Sequence, residues 1–142
     1  MAIQHNHKMK KLLILCLLVV STLSIDSCFE AKAGSIQMIN PEEAAALLDA
    51  EEAVLVDVRS HADYEAGHIA NAINIPVESE DLEALIASLD HDKPVMVYCS
   101  RGGQSAACAK ILEEKGFKKI YDLDGGLSSW EASGRKIVLR TE

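Results

Sequence analysis

The sequence predicts an α/β fold: a central, mainly parallel five-stranded sheet with helices on both faces. Three observations predict it. From residue 34 onward, short apolar runs alternate with segments of helical periodicity, the pattern of strands joined by helical crossovers. Two of those runs, 53–58 and 94–98, are almost continuously apolar, as strands buried on both faces must be. Cap and stop residues fall at the junctions, with Asn40 before Pro41 and Gly116 after Lys115.

In chain order, the first strand is expected over 36–39. A helix then opens and runs to about residue 50: Asn40 accepts amide hydrogen bonds, Pro41 suits a first-turn position, and Glu42 and Glu43 offset the positive end of the dipole. Strand 53–58 and a short helix over 62–66 follow. Strand 72–75 is stopped by Pro76, which has no N–H for a ladder. Leu82, Leu85, Ile86 and Leu89 form one apolar stripe on a helix over 80–89. Strand 94–98 ends at Cys99, and a glycine-containing loop leads to a helix over 105–114. Strand 119–121 and a helix over 127–132 complete the alternation.

Ahead of this domain the composition changes. Lys8, Lys10 and Lys11 precede an apolar run over 12–25, and Ala31 and Ala33 supply the small residues of a cleavage site, the three parts of a secretory signal peptide. As a helix, this run reaches roughly 21 Å, short of the ~30 Å hydrocarbon core. Met9 offers a second start of the same kind. The expected division is therefore a signal peptide over 1–33 and a domain over 34–142, exported to the periplasm with no transmembrane anchor after cleavage. A rival reading acylates Cys28 in Ile25-Asp26-Ser27-Cys28 and makes a membrane-anchored lipoprotein, although Asp26 suits that pattern badly.

Four of the 14 cations and two of the 22 acids lie in residues 1–33, leaving 10 against 20 and a net charge of −10. Such a domain repels nucleic acid and anionic lipid, so neither is expected as a partner. Of the four cysteines, only Cys99 and Cys108 lie beyond residue 33, too few for a disulfide scaffold. No His, Cys and Asp cluster has metal-ligand spacing and no glycine pattern suits a dinucleotide, so no metal and no cofactor are expected.

The chemistry concentrates where strand 94–98 gives way to a helix. There the chain reads Cys99-Ser100-Arg101-Gly102-Gly103-Gln104-Ser105. Two glycines permit a tight turn whose amides point at one centre, and the opening of the next helix adds its own unpaired amides. An ordinary cysteine is only about 3% thiolate at pH 7, and a two-unit depression makes it roughly three-quarters thiolate. Arg101 adds a cation able to attract an anionic donor. The bland alternative is a small buried apolar residue at a strand end, the commonest fate of a free cysteine.

Three blocks in order set these readings apart. Asp57-Val58-Arg59, Asp63-Tyr64, Gly67-His68-Ile69 and 72–76 resemble the first signature of the rhodanese family; the loop from Cys99 to Ser105 resembles its active-site loop; Gly125-Gly126-Leu127 with Trp130 and Gly134 resembles its closing segment. The resemblance implies a rhodanese-like fold and a thiosulfate sulfurtransferase. In that reading Cys99 accepts the outer sulfur of a small-molecule donor such as thiosulfate, holds it as a persulfide, and passes it to cyanide, a thiol or a protein cysteine. Ser100, Arg101, Gly102, Gly103, Gln104 and Ser105 would form the substrate-binding loop. Many family members carry Arg five positions after the cysteine, where this chain has Gln104. The related dual-specificity phosphatases use a loop one residue longer, Cys-x5-Arg, and the residue six after Cys99 is Ser105; a phosphate dianion would lose its bidentate partner, which disfavours a phosphatase or arsenate reductase on the same fold. A non-catalytic sulfur-binding or partner-binding module is the third reading.

Asp57 and Arg59 read as a structural ion pair near the site more than as substrate ligands, and His68 as a hydrogen-bonded packing residue more than a general base. His61 is expected on the surface near a helix start. Cys108, three residues beyond Ser105 and flanked by alanines, is expected to be buried and structural, the rival role being resolution of the persulfide. Trp130 is expected to anchor the last helix in the core.

Overall fold

The computed structural model describes residues 34–139, all within one compact unit, Ala31–Glu142. The signal peptide, its cleavage after Ala33 and the acylation of Cys28 concern residues outside the described ones. Five strands, β1 (Ser35–Ile39), β2 (Val54–Asp57), β4 (Ile73–Asn74), β5 (Val95–Tyr98) and β6 (Lys119–Leu123), form one parallel sheet in the order β1-β6-β5-β2-β4. Among the described residues, no helix is long and apolar enough to cross a membrane.

Among the described residues, five helices cover the sheet: α1 (Pro41–Asp49), α2 (His61–Ala66), α3 (Leu82–Ala87), α4 (Gly103–Glu114) and α5 (Gly126–Ala132). Strand side chains alternate between faces, so two cores result. Val56, Val95, Val97 and Ile120 pack beneath α3 and α4, with Ile86, Cys108 and Leu112 above them. Leu55, Met96, Tyr98 and Leu123 face α1, α2 and α5, meeting Ala44, Tyr64, Leu127 and Trp130. Helix α1 begins as its sequence dictates: Asn40 Oδ1 accepts the amides of Glu42 and Glu43 at 2.9 Å each, and Glu43 Oε2 accepts the Asn40 amide at 3.0 Å.

Three local differences from the sequence reading stand out. A second, two-stranded antiparallel sheet pairs β3 (Gly67–His68) with β7 (Val138–Leu139); strands of two residues are too short to show a period. Helix α3 is shorter than 80–89 because Ser79 and Asp81 form a turn before it. Helix α4 opens at Gly103, two residues earlier than expected, since Gly102 at φ +111° is its cap.

Topology positions the site. From β2 the chain moves outward to β4, and from β5 it moves the other way to β6. Helix α2, after β2, covers one face, and α4, after β5, covers the other. The carboxyl ends of β2 and β5 thus mark the switch point of the sheet, where open α/β folds leave a crevice. Cys99 is the first residue past β5.

Candidate active site at the end of β5

Cys99 is buried, at 2% exposure, beside an exposed loop. Its Sγ accepts the amide of Gly102 at 2.9 Å. The positive φ of Gly102 turns that amide inward, a conformation glycine adopts at no steric cost. Burial raises the Cys99 thiol, but its hydrogen-bonding contacts with the Ser105 amide and side chain and with the Gly102 and Arg101 amides outweigh it and hold the thiol below its usual value. These donors belong to the loop and the first turn of α4, whose positive dipole end adds to the effect. The Ser105 hydroxyl lies 3.6 Å from Sγ and donates to Gly102 O at 3.1 Å.

A second helix fixes the loop from behind. Leu127 N–H donates to Cys99 O at 2.8 Å and Ser128 N–H to Ser100 O at 3.1 Å. This contact needs Gly126: a Cβ there would run into the Cys99 carbonyl oxygen and come within 2.9 Å of the Ser100 carbonyl carbon. The closing motif Gly125-Gly126-Leu127 therefore holds the Cys99 loop in place. Its amides satisfy carbonyls that a tight loop cannot pair internally.

The remaining loop residues point elsewhere. Ser100, Arg101, Gly103 and Gln104 are exposed. Gln104 Nε2 donates to Glu78 Oε1 at 3.4 Å. Together they form part of the wall of a cleft of about 450 Å³ that also includes His61, Asp63 and Pro76. Gln104 thus places one wall of an acidic cleft beside the Cys99 loop.

Asp57 and Arg59 support the neighbouring strand end. Asp57 is the last residue of β2 and wholly buried. Arg59 Nη2 donates to Asp57 Oδ2 at 2.6 Å and to Gly67 O at 2.7 Å. Asn74 Nδ2 donates to the carbonyls of Asp57 and Arg59, so the pair ties β2, β3 and β4 together. His68 stacks on Tyr64 with ring centroids 3.8 Å apart and Nδ1 is 2.9 Å from Tyr64 O. His61 is exposed on α2.

Cys108 is buried on α4, where desolvation and the charge of Asp122 push its thiol up to about 11. Trp130 is 7% exposed and donates from Nε1 to Lys136 O at 3.1 Å. Among the described residues, no group of three or more His, Cys, Asp and Glu side chains could hold a metal ion. The sequence reading missed Asp122, a buried acid on β6; its place in an apolar run, three residues beyond Lys119, was the available signal. It also missed what Gly126 does, since contact between chain segments leaves no local pattern.

Comparison with known proteins adds to this geometry. Residues 40–133 match the family described as Rhodanese-like domain. The chain is 38% identical over 96 residues to the thiosulfate sulfurtransferase GlpE of Coxiella burnetii, covering 68% of this chain and 88% of that protein. It is 33% identical over 102 residues to the tRNA uridine(34) hydroxylase of Sodalis glossinidius, covering 69% of this chain but 29% of that protein. A crystal structure of a rhodanese-related protein from Thermoplasma volcanium superposes with a TM-score of 0.65 at 33% identity, covering 72% of this chain and 98% of that one.

Proposed function

This chain belongs to the rhodanese-like domain family, and on that premise we propose that it is a sulfurtransferase whose Cys99 carries sulfane sulfur as a persulfide. The observation that carries the reading is the Gly102 amide donated to the buried Cys99 sulfur at 2.9 Å, beside the Ser105 and Arg101 amides that help hold its thiol low. The same amides suit the anionic outer sulfur of a persulfide.

The chemistry has two displacements. The Cys99 thiolate attacks the outer sulfur of the donor; a new S–S bond forms as the donor's S–S bond breaks, and the electron pair leaves on the donor remnant, which is sulfite when the donor is thiosulfate. An acceptor nucleophile then attacks the outer sulfur of the persulfide. The Cys99 thiolate leaves, and the acceptor departs as thiocyanate, a persulfide or a protein persulfide. A thiolate suits both steps because it attacks sulfur readily and leaves it readily. Neither displacement needs a metal, a cofactor or a strong base.

Thiosulfate or a polysulfide is the proposed small-molecule donor, and cyanide, a thiol or a protein cysteine the acceptor. The substrate loop comprises Ser100, Arg101, Gly102, Gly103, Gln104 and Ser105, with Asp57, Arg59 and His68 as its structural surround. Intact mass after thiosulfate treatment tests this: one added sulfur atom, removed by cyanide and absent in Cys99→Ser, is expected. No adduct with thiosulfate or polysulfide would overturn it, and hydrolysis of an aryl phosphate instead would point to a phosphatase.

We also propose export to the periplasm with cleavage after Ala33. Sequencing the N-terminus of protein from the producing cell decides between Gly34 and an acylated Cys28.

A further inference from the structure

The cleft beside the Cys99 loop holds about 450 Å³ and its wall includes Val58, Asp63, Pro76, Glu78 and Gln104, a size that suits a small molecule. Its buried lining lies next to the sulfur. Asp57 on β2 pairs with Tyr98 on β5, so Val58 and Cys99, the next residue on each, sit side by side at the carboxyl edge of the sheet. Val58 N–H donates to Tyr98 O at 3.0 Å, and the side chains of Val58 and Cys99 belong to the same core, beneath α3 and α4. Gln104 lies in the Cys99 loop itself.

No lysine or arginine lines this cleft, and Arg101, the cation of the loop, is not part of its wall. Among the described residues, neither Asp63 nor Glu78 forms an ion pair. Asp63 is engaged at the start of α2, where its Oδ2 accepts the Ser60 hydroxyl at 2.7 Å. Glu78 is nearly free: its one hydrogen bond, from Gln104 Nε2, is 3.4 Å long, the weak end of the range. His61, the remaining ionisable group of the wall, has Nδ1 3.3 Å from Asn74 Oδ1 and Nε2 4.0 Å from Glu65 Oε1. The cleft next to the sulfur thus carries a carboxylate with no counter-cation.

We propose that this cleft is the acceptor side of the Cys99 site, that it takes a small thiol carrying a positive charge, and that Glu78 determines this specificity. The inference rests on Cys99 as the sulfur carrier. The proposed donors, thiosulfate and polysulfide, are anions, and an unpaired carboxylate repels them. An aminothiol brings the missing cation, and its own ammonium favours the thiolate that must attack. That thiolate attacks the outer sulfur of the Cys99 persulfide. A new S–S bond forms, the bond to Cys99 breaks, and its electron pair leaves on the Cys99 sulfur. The aminothiol departs as its persulfide, with no change in the total of protons or electrons.

The test loads the full chain with sulfur, removes the donor, and follows discharge by intact mass as a difference from Cys99→Ser. Three acceptors are compared: cysteamine, its neutral N-acetyl derivative and anionic mercaptopropionate. Each rate is divided by that thiol's rate with the free persulfide of mercaptoethanol, which removes intrinsic nucleophilicity. At low ionic strength the corrected rate is expected to be about fivefold higher for cysteamine than for the N-acetyl derivative, and lowest for mercaptopropionate. The preference is expected to shrink in salt and to disappear in E78Q, an exposed position where the change leaves the core intact. Equal corrected rates, or a preference that survives in E78Q, overturn the inference. A chain that takes up no sulfur overturns the proposed activity, and the cleft is then read without it. Unloaded Cys99 attacks the disulfide cystamine or dithiodipropionate, forming a mixed disulfide and expelling the other half as a thiolate. Faster reaction with cystamine, lost in E78Q, upholds the charge selection; equal rates overturn it.

Discussion

The Gly102 amide nitrogen lies 2.9 Å from the Cys99 sulfur, on a residue whose φ is +111°. Sequence spacing and backbone chirality meet in that one contact. A side chain at 102 would find no steric obstacle, as nothing lies within 4 Å of a Cβ there. The constraint is conformational: the left-handed backbone aims the amide at the sulfur.

The two cysteines should separate by pH. Hydrogen bonds hold Cys99 low against its burial, while burial and Asp122 push Cys108 up to about 11. Since the thiolate is the nucleophile, sulfur uptake should rise with pH through the Cys99 ionisation and level off above it. Brief treatment with a small haloacetamide near neutral pH should label Cys99 and spare Cys108, read by peptide mass. Cys108 also affects stability. Folded chains hold its proton up to about 11 while unfolded chains lose it near the usual 9.0, so stability falls as pH rises through that window. The slope is roughly 1.4 kcal/mol per pH unit, and Cys108→Ala should remove it in urea titrations.

Gly126→Ala should damage the sulfur loop without touching it chemically. The new methyl collides with the Cys99 carbonyl at a residue of φ +58°. We expect a loss of about 1–3 kcal/mol in thermal or urea unfolding and a fall in sulfur transfer of roughly 100-fold from misplaced donors. Gly103→Ala, with open space around the added carbon, serves as the control and should stay folded.

Breaking the Asp57 and Arg59 pair should cost stability more than chemistry. Arg59→Met leaves a fully buried carboxylate without its cation, which costs about 3–5 kcal/mol. The double change with Asp57→Asn should recover part of that loss in denaturant midpoints. An additive double mutant would argue that the two groups act independently.

Gln104→Arg should alter donor choice. It places a guanidinium where many family members carry one, next to Glu78, and converts a neutral contact into one suited to a dianion. The expected result is an increase in kcat/KM for thiosulfate of about tenfold, mostly through KM. A further increase with Glu78→Gln would show that the acid competes for the new cation. An unchanged KM would place the donor away from residue 104.

Much of this molecule was legible in one dimension. The runs 53–58 and 94–98 announce buried parallel strands because both faces are apolar, and both become inner strands of the sheet. Cys99 with its glycines marks the strand-to-helix junction because the tight turn there uses the left-handed backbone of Gly102. The sheet order was not legible, since strand patterns state burial and not neighbours. Hence the switch point between β2 and β5 appears only in three dimensions. Strands β3 and β7 are too short to carry a period. Asp122 looks like any polar residue in a strand until the register sets it opposite Val97, under the helix that carries Ser105.

The short helix α5 carries the two amides that clamp the loop and, four residues after Gly126, the only tryptophan in the chain. That indole packs in the core with the Arg135 guanidinium 5.5 Å from its ring centre. A displacement of the clamp is therefore expected to change the surroundings of that fluorophore. Trp130 emission is therefore expected to report, without a label, whether the Cys99 loop is seated.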